Sequence, residues 1–341
     1  MTTMVTPSAT VAVVILNWNG SHLLQKFLPS VVRHTDPATG TVIVADNGSS
    51  DDSLQVLDRQ FPEVEVIKFD KNYGFAEGYN RALRICADRG YTYAVLLNSD
   101  VAVSDRWLEP LFTYMTTHPD VAACQPKILS YRHPEYFEYA GACGGFIDRN
   151  GYPYCRGRIF TTVEKDLGQY DTPTDIFWAS GAALTVRLSD YFAAGGLDPA
   201  FFAHMEEIDL CWRMQLLGKR ISVVPKSHIY HLGGGSLDAS DPRKTYLNFR
   251  NNLLMLHKNL PTGIRRRTLF VRRLLDTMAW GKFVATFSWR NAGAIWRAHR
   301  DFAKMRKAYT TSPQTDLLHT VPPRPNILTD YYLRRHTTWR R

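Results

Sequence analysis

Residues 91–101 read YTYAVLLNSDV. Four apolar residues, Ala94 to Leu97, run straight into Asn98, Ser99 and Asp100, and the apolar pattern then resumes. An unbroken apolar run of this length fits a strand covered on both faces, as in a parallel sheet flanked by helices. A carboxylate at the end of such a strand is costly beside an apolar core unless something completes it. The stretch therefore sets the fold and poses a chemical question together.

The same pattern recurs upstream. VAVVILNW (11–18) is a continuous β-rich run, and residues 21–34 have helical spacing. TVIVADNGSSDDS (41–53) predicts a second strand and a turn, with Ser50 or Asp51 capping a helix at about 52–60. VEVIKF (64–69) is a third strand, and NYGFAEGYNRALRICADRG (72–90) a loop feeding a helix that ends at Gly90. YTYAVLLNSD (91–100) is the fourth strand, followed by a helix over 105–117 that stops near Pro119 and the short strand VAACQ (121–125). Residues 130–175, rich in Gly, Tyr and Pro, predict a looser, partly β segment. Then come a strand over 177–187, a helix over 206–217, the strand KRISVVP (219–225) and the turn HIYHLGGGS (228–236).

Alternation of this kind builds a doubly wound, mainly parallel, Rossmann-like α/β sheet. Ligands of such sheets sit beyond the C-terminal strand ends. Three ends are polar here, at Asn17-Trp18-Asn19, Asp46-Asn47 and Asn98-Ser99-Asp100, and the topology gathers them at one crevice.

The whole chain has 341 residues, 45% of them apolar, enough for one large domain with an appendage. Its net charge of +9 is unevenly spread: Arg243 onward carries 21 Lys and Arg against 4 Asp and Glu, leaving residues 1–242 at −8. We divide it into a catalytic body over 1–242 and a basic, amphipathic helical extension over 243–341 that suits an anionic partner. In the extension Phe270, Val271, Leu274, Leu275 and Met278 share one helical arc, opposite Arg272, Arg273 and Asp276, until Gly281-Lys282 breaks the stripe. A second helix sets Ile295, Phe302, Met305 and Tyr309 against Arg297, Arg300, Lys304 and Lys307, and TVPPRPN (320–326) is extended by its prolines.

Such helices, over 265–309, suit the surface of an anionic leaflet, and equally a helix docked on the catalytic body with its charges in water. They are too short and too charged to span a membrane. No recognition motif for nucleic acid accompanies the basic residues. The N-terminal segment lacks a basic region and a cleavage site, which argues against a signal peptide. The five scattered cysteines read as small core residues in a reducing compartment, hence a cytoplasmic protein, with peripheral attachment to the inner face of the plasma membrane open to it.

Four groups of residues could carry chemistry. Asp100 could hold a divalent metal that bridges a diphosphate, or it could serve a turn. Asp46 could accept from a base or ribose, or belong to the polar turn Asn47-Gly48-Ser49-Ser50-Asp51. Glu206, Glu207 and Asp209 suit a helix start, yet crowded carboxylates also raise one another's pKa and can yield a general base. His231, before Gly233-Gly234-Gly235, would be a ligand only if the fold brings it to Asp100.

The ordered set VVILNWNG, VADNGSSDDS, NYGFAEGYNRAL, LLNSD, WASGAALTVR, FFAHMEEIDLCWR and HLGGGS, over roughly residues 10–260, resembles the family 2 glycosyltransferases of GT-A fold, rhamnosyltransferase-like branch. The basic extension is similar to the helical extension of some bacterial members, joined through YLNFRNNLLMLHKNLP.

The resemblance implies that Leu16, Asn17 and Trp18 flank the nucleobase, with Trp18 stacking on it and Asp46 accepting from it. Asn72, Gly74 and Asn80 then shape the donor pocket. Asn98-Ser99-Asp100 stands where the family has Asp-x-Asp, so Asp100 is the firm metal ligand, and His231 falls where some members place another. Trp178, Ser180 and Gly181 match the acceptor side. Glu206-Glu207 matches a Glu-Asp pair whose second member is the base, so Glu207 leads, with Glu206 and Asp209 as rivals.

The implied reaction is transfer of a sugar, with inversion, from a nucleotide-diphosphate sugar to a hydroxyl of a glycan or lipid-linked glycan, in bacterial surface polysaccharide synthesis. The implied cofactor is Mg or Mn. The competing reading is a protein of the same fold that binds nucleotide-sugar without turnover. A dinucleotide oxidoreductase would need G-x-G-x-x-G after the first strand, where this chain has Asn17-Trp18-Asn19-Gly20. A sugar nucleotidyltransferase would need a Gly-rich basic loop there.

Overall fold

The computed structural model describes residues 10–233, 241–319 and 325–339. In chain order the elements are β1 Val11–Asn17, α1 Ser21–His34, β2 Gly40–Asp46, α2 Ser53–Gln60, β3 Glu65–Lys68, α3 Phe75–Asp88, β4 Tyr93–Leu97, β5 Val101–Val103, α4 Leu108–Thr117 and β6 Val121–Ser130. There follow β7 Gly145–Ile147, β8 Pro153–Cys155, β9 Arg158–Ile159, β10 Thr162–Val163, β11 Thr174–Ile176, β12 Ala183–Arg187, α5 Leu188–Ala193, α6 Glu206–Leu216 and β13 Arg220–His231. The extension is α7 Pro242–Asn259, α8 Thr262–Ala285 and α9 Trp289–Met305. Gly234, Gly235 and Ser236 of the HLGGGS stretch, and residues 320–324 of the proline segment, lie outside the described residues.

The main sheet runs in the order β11-β13-β6-β12-β4-β1-β2-β3, with β5 on β13. β1, β2, β3, β4, β6 and β13 run one way, and β5, β11 and β12 run against them. The expected doubly wound, mainly parallel sheet is thus present. The strand order reverses at β1, between β2 and β4, which opens the crevice where the polar ends were placed. One layer of core lies under α1, α2 and α4; the other packs α3 and α6 with Trp178, Tyr191 and Trp212.

Two strands outrun their sequence reading because each crosses a proline. β6 continues past Pro126 to Ser130, and β13 past Pro225 to His231. The parallel β6–β13 ladder shifts register between Val224 and His228, so the chain bulges where Pro225 removes a donor. That bulge carries β13 on to deliver His231 opposite Val101, beside Asp100. Residues 177–182 precede the ladder proper, held by Gly145, whose N–H donates to the Trp178 carbonyl, and by Gln125, which accepts from the Ser180 N–H.

Residues 145–163 form a small four-stranded antiparallel sheet, β7 to β10. The C-terminal segment lies against it: Trp339 packs on Phe146 and Tyr154, and the Tyr331 hydroxyl shares hydrogen bonds with Thr161 and Thr162. All five cysteines are buried and free.

Helix α8 corrects the sequence reading twice. It runs unbroken through Gly281 and Lys282 to Ala285. It also faces the other way round: Thr268, Arg272 and Asp276 are its buried residues, while Phe270, Leu274 and Met278 are exposed. Arg272 donates to the carbonyl of Asn150 (3.2 Å), to the Asn252 side chain and to Asp276 (3.2 Å), and lies over the Tyr152 ring. His299 of α9 donates to the other Asp276 oxygen (3.0 Å). A buried ion pair is tolerated only when its remaining donors and acceptors are satisfied, and this one largely is. In α9, by contrast, Ile295 and Phe302 face the core as expected.

Candidate active site at the strand ends

The three polar strand ends meet. Asn17 closes β1, and its amide donates to Asp46 (3.1 Å) and to the Ser49 hydroxyl (3.2 Å). The Ser49 N–H donates to the second Asp46 oxygen (3.0 Å). Asp46 is only 1% exposed, so its carboxylate first of all fastens the β1 and β2 ends together. At this rim Trp18 is 56% exposed, while Asn17 is buried and keeps an oxygen without a partner.

Asn47 extends the rim. Its amide donates to Asn72 Oδ1 (3.0 Å) and the Gly74 carbonyl (3.1 Å), and its oxygen accepts from the Tyr73 N–H (3.0 Å). This holds the loop before α3 against the strand ends. Gly78 permits the approach, because a Cβ there would stand 2.9 Å from Leu16 and 3.1 Å from Asn47 Nδ2. Asn80, two residues further along α3, is turned elsewhere. Its amide donates to the Leu197 carbonyl, and its oxygen accepts from the Tyr191 hydroxyl and the Leu197 N–H. It braces the 191–197 turn, which uses its oxygen and one amide hydrogen.

At the β4 end the Asn98 N–H donates to the Ala182 carbonyl (3.0 Å), and Asn98 and Ser99 are half-buried. Asp100 and His231, 131 residues apart, are brought together: Nε2 of the imidazole lies 3.1 Å from Asp100 Oδ1. The other ring nitrogen faces Glu138 at 3.3 Å. All three side chains are buried. Against the cost of burial, the hydrogen bond and charge of His231 hold the Asp100 carboxyl below its ordinary value. Burial would likewise lower His231, but the two carboxylates push it up to about 10. Glu138 was not foreseen; it sits in the irregular stretch between β6 and β7, and nothing local announces it.

These residues fit a divalent cation. The 3.1 Å between Nε2 and Oδ1 is that of the imidazole–carboxylate hydrogen bond, and a cation held by both side chains would take the place of the proton between them. A carboxylate behind the far imidazole nitrogen is the arrangement that orients metal-bound histidines. The set is small, with no group of three or more metal-ligating side chains among the described residues.

The third element is the α6 start. Phe202, His204 and Met205 all have positive φ (67°, 69° and 73°). Asn251 of α7 clamps this turn, its amide donating to the carbonyls of Phe201 (2.9 Å), Ala203 (2.8 Å) and His204 (2.8 Å), and Arg250 donates to Ala200 and Phe201. Backbone strain of this kind costs about 1–3 kcal/mol per residue and persists only where the surroundings over-determine it. The clamp is the role of the FRNN stretch that the sequence showed only as a joining segment.

What the turn aims is Glu206-Glu207. A Cβ on Gly181 would lie 3.9 Å from Glu207 Cβ and Cγ and 3.7 Å from the Phe75 ring, so Glu207 faces the start of α3 across Gly181. Gly181 precedes Ala182, whose carbonyl holds Asn98, and Gly74 lies 3.9 Å from the Phe202 ring by the same measure. The base candidate thus borders the crevice shared by β1, β2 and β4. Each of Glu206 and Glu207 has a carboxyl oxygen that is buried without a partner. Burial pushes Glu207 up to about 7. Burial, and then the Glu207 charge, pushes Glu206 well above its ordinary value.

Asp209 leaves the contest. It is fully buried, accepting from Arg213 (2.9 Å), Lys258 (2.9 Å) and Asn259 (2.8 Å), and ties α6 to α7. Trp178 and Ser180 are also scaffold: the Trp178 indole covers Gly145 and donates to the Phe146 carbonyl, and the Ser180 hydroxyl donates to Ala140. Gly181 of that segment borders Glu207.

The site is thus a doubly wound sheet whose polar strand ends lie with an acid–imidazole pair and the adjacent carboxyls of Glu206 and Glu207. Residues 12–174 match the model of glycosyl transferase family 2, so this segment is a glycosyltransferase family 2 domain. A curated relative, the N-acetylglucosaminyl-diphospho-decaprenol L-rhamnosyltransferase of Mycobacterium tuberculosis, is 26% identical over 234 residues, which span 64% of this chain and 75% of that protein. Among solved structures, a mannosyltransferase from Pyrobaculum calidifontis with GDP-Man and Mn2+ superposes at a TM-score of 0.52 (13% identity, 88% of this chain and 84% of that one). GalNAc-T7 with UDP, GalNAc and Mn2+ gives 0.53 (16% identity, 65% of this chain and 43% of that one). The fold is that of the GT-A glycosyltransferases, and the chain carries a glycosyltransferase family 2 domain similar to that of rhamnosyltransferases. The family match ends before α6 and the end of β13, so Glu207 and His231 rest on the geometry alone.

Proposed function

We infer that this protein moves a sugar from a nucleotide-diphosphate sugar to a hydroxyl of a glycan or lipid-linked glycan, with inversion, in the building of a bacterial surface polysaccharide. The observation that carries the reading is Glu207. It is a half-buried side chain with one buried, unpartnered carboxyl oxygen and a pKa pushed up to about 7, bordering the crevice taken here as the donor site.

Trp18 offers an exposed ring face to the nucleobase, and Asn17, ordered by Asp46, offers polar contact beside it. Asp100 and His231, backed by Glu138, would hold a divalent metal, Mg or Mn, which when bound supplies counter-charge to the departing nucleoside diphosphate. Glu207 accepts the acceptor hydroxyl's proton as that oxygen bonds to the anomeric carbon from the face opposite the diphosphate. The bond to the diphosphate oxygen breaks with its electron pair on the nucleoside diphosphate. Burial and the Glu207 charge raise Glu206 well above its ordinary value, which favours the neutral form there and the anionic charge of the pair on Glu207. Buried free cysteines agree with a cytoplasmic setting.

A panel of nucleotide-sugars assayed for nucleoside diphosphate release tests this. One donor should release its nucleoside diphosphate in the wild type and not in Glu207→Gln, with donor binding retained. Binding without release by the wild type, with acceptors supplied, would instead indicate a nucleotide-sugar-binding protein.

A further inference from the structure

We propose that the outward face of α8, with the turn into α9, is a docking surface for an anionic lipid bilayer. The inference stands on the inverted helix and does not depend on the reaction assigned above. Phe270, Leu274 and Met278 follow at four-residue spacing on the solvent side of α8, 63%, 56% and 72% exposed, while the same helix buries Arg272 and Asp276. A helix that turns its ion pair inward and its apolar row outward is not completed by its own core. Phe287, Trp289 and Trp296 are exposed in the turn and in α9, and Trp280 is exposed on another side of α8. Seven of the fourteen large apolar side chains exposed among the described residues fall within 270–296, which makes this a concentration and not scatter. Aromatic and large aliphatic groups exposed in this density match the boundary between headgroups and acyl chains.

The charge around the row selects the occupant. Between residues 261 and 300 there are nine Arg and Lys and a single acid, Asp276, which is buried against Arg272 and His299. Arg266, Arg267, Arg273, Lys282, Arg290 and Arg297 are exposed, and none of them is in an ion pair among the described residues. A second copy of this chain would bring the same positive rim against itself, whereas an anionic leaflet complements it. No helix among the described residues is long and apolar enough to cross a membrane, so the contact is interfacial. A lipid-linked acceptor would then meet the enzyme at the surface it already occupies.

The test is co-sedimentation of the full chain with vesicles of phosphatidylcholine alone or with about 30% phosphatidylglycerol, at low and high salt. The expected result is pelleting with the anionic vesicles, reduced by salt, and a blue shift of tryptophan emission. Replacing Phe270, Leu274 and Met278 together by Ser should weaken partitioning at least tenfold. Arg266→Gln with Arg267→Gln and Arg273→Gln should abolish the preference for anionic lipid and leave residual binding. Far-UV circular dichroism and a donor-induced thermal shift, unchanged in both variants, confirm that the body is intact. A chain that stays in the supernatant with anionic vesicles overturns the proposal. So does sedimentation velocity showing a dimer that the serine variant dissociates. Failure of the sugar-transfer reading would leave pelleting intact.

Discussion

Replacing Glu207 by Gln removes one proton acceptor and little volume, and its consequences can be worked through. The wild-type carboxyl is pushed up to about 7 by burial at the start of α6. A base with that pKa is about 9% ionised at pH 6 and about 91% at pH 8, so kcat/KM should climb about tenfold across the interval, with its midpoint near 7. A positioned general base contributes on the order of 10²–10⁴ in rate, and Gln forfeits that factor. The expected variant therefore has kcat lowered by about 10²–10⁴, a flat profile between pH 6 and 8, and a donor KM within about twofold of wild type. The assay is continuous detection of nucleoside diphosphate at saturating acceptor, with donor binding followed separately by thermal shift. A variant that keeps the wild-type rate and its midpoint near 7 would show that another group takes the proton. Equal loss of donor binding would show that Glu207 holds the donor instead.

Other outcomes follow from the same geometry. Glu206 is raised by burial and by Glu207, so the folded state binds its proton more tightly than the unfolded chain does, and the stability penalty grows as pH rises above the ordinary glutamate range. Glu206→Gln should thus gain thermal stability over wild type at pH 8 and little at pH 5, measured by calorimetry at both. Glu138→Gln, behind the His231 imidazole, should weaken manganese affinity by about 10–100-fold in a titration monitored by thermal shift. Asp209→Asn leaves Lys258 and Arg213 short of a buried partner and should cost about 3–5 kcal/mol in denaturant unfolding, with the kcat of folded enzyme little changed. Asn251→Ala frees the 201–204 carbonyls and should lower kcat by misplacing Glu207 while donor affinity persists, separated from a folding defect by unchanged circular dichroism.

Legibility in the sequence followed the range of the interactions. α1 matches its predicted span because the spacing of Leu24, Phe27, Leu28 and Val31 is a local signal, and Pro29 inside it did not end it. The three polar strand ends were legible because a buried strand ending on Asn or Asp is locally anomalous. β6 and β13 were cut short at their prolines, since a bulge that accommodates Pro225 is a property of the ladder and not of either strand alone. Asp209 read as a rival base because its partners Lys258 and Asn259 stand far off in sequence on α7. Glu138 and Asn251 gave no signal for the same reason. The orientation of α8 was hidden because periodicity locates two faces without saying which is inside; the Asn150 carbonyl and Asn252 decide it by receiving Arg272.

The central claim is that Glu207, Asp100 and His231 address a single sugar nucleotide. It is tested most directly by a crystal structure of the Glu207→Gln variant with Mn2+ and the donor identified in the panel. The account predicts the diphosphate beside Asp100 and His231 and the substituted amide side chain on the opposite side of the anomeric carbon, with room for one hydroxyl between. A donor seated with its anomeric carbon turned away from α6 would contradict it.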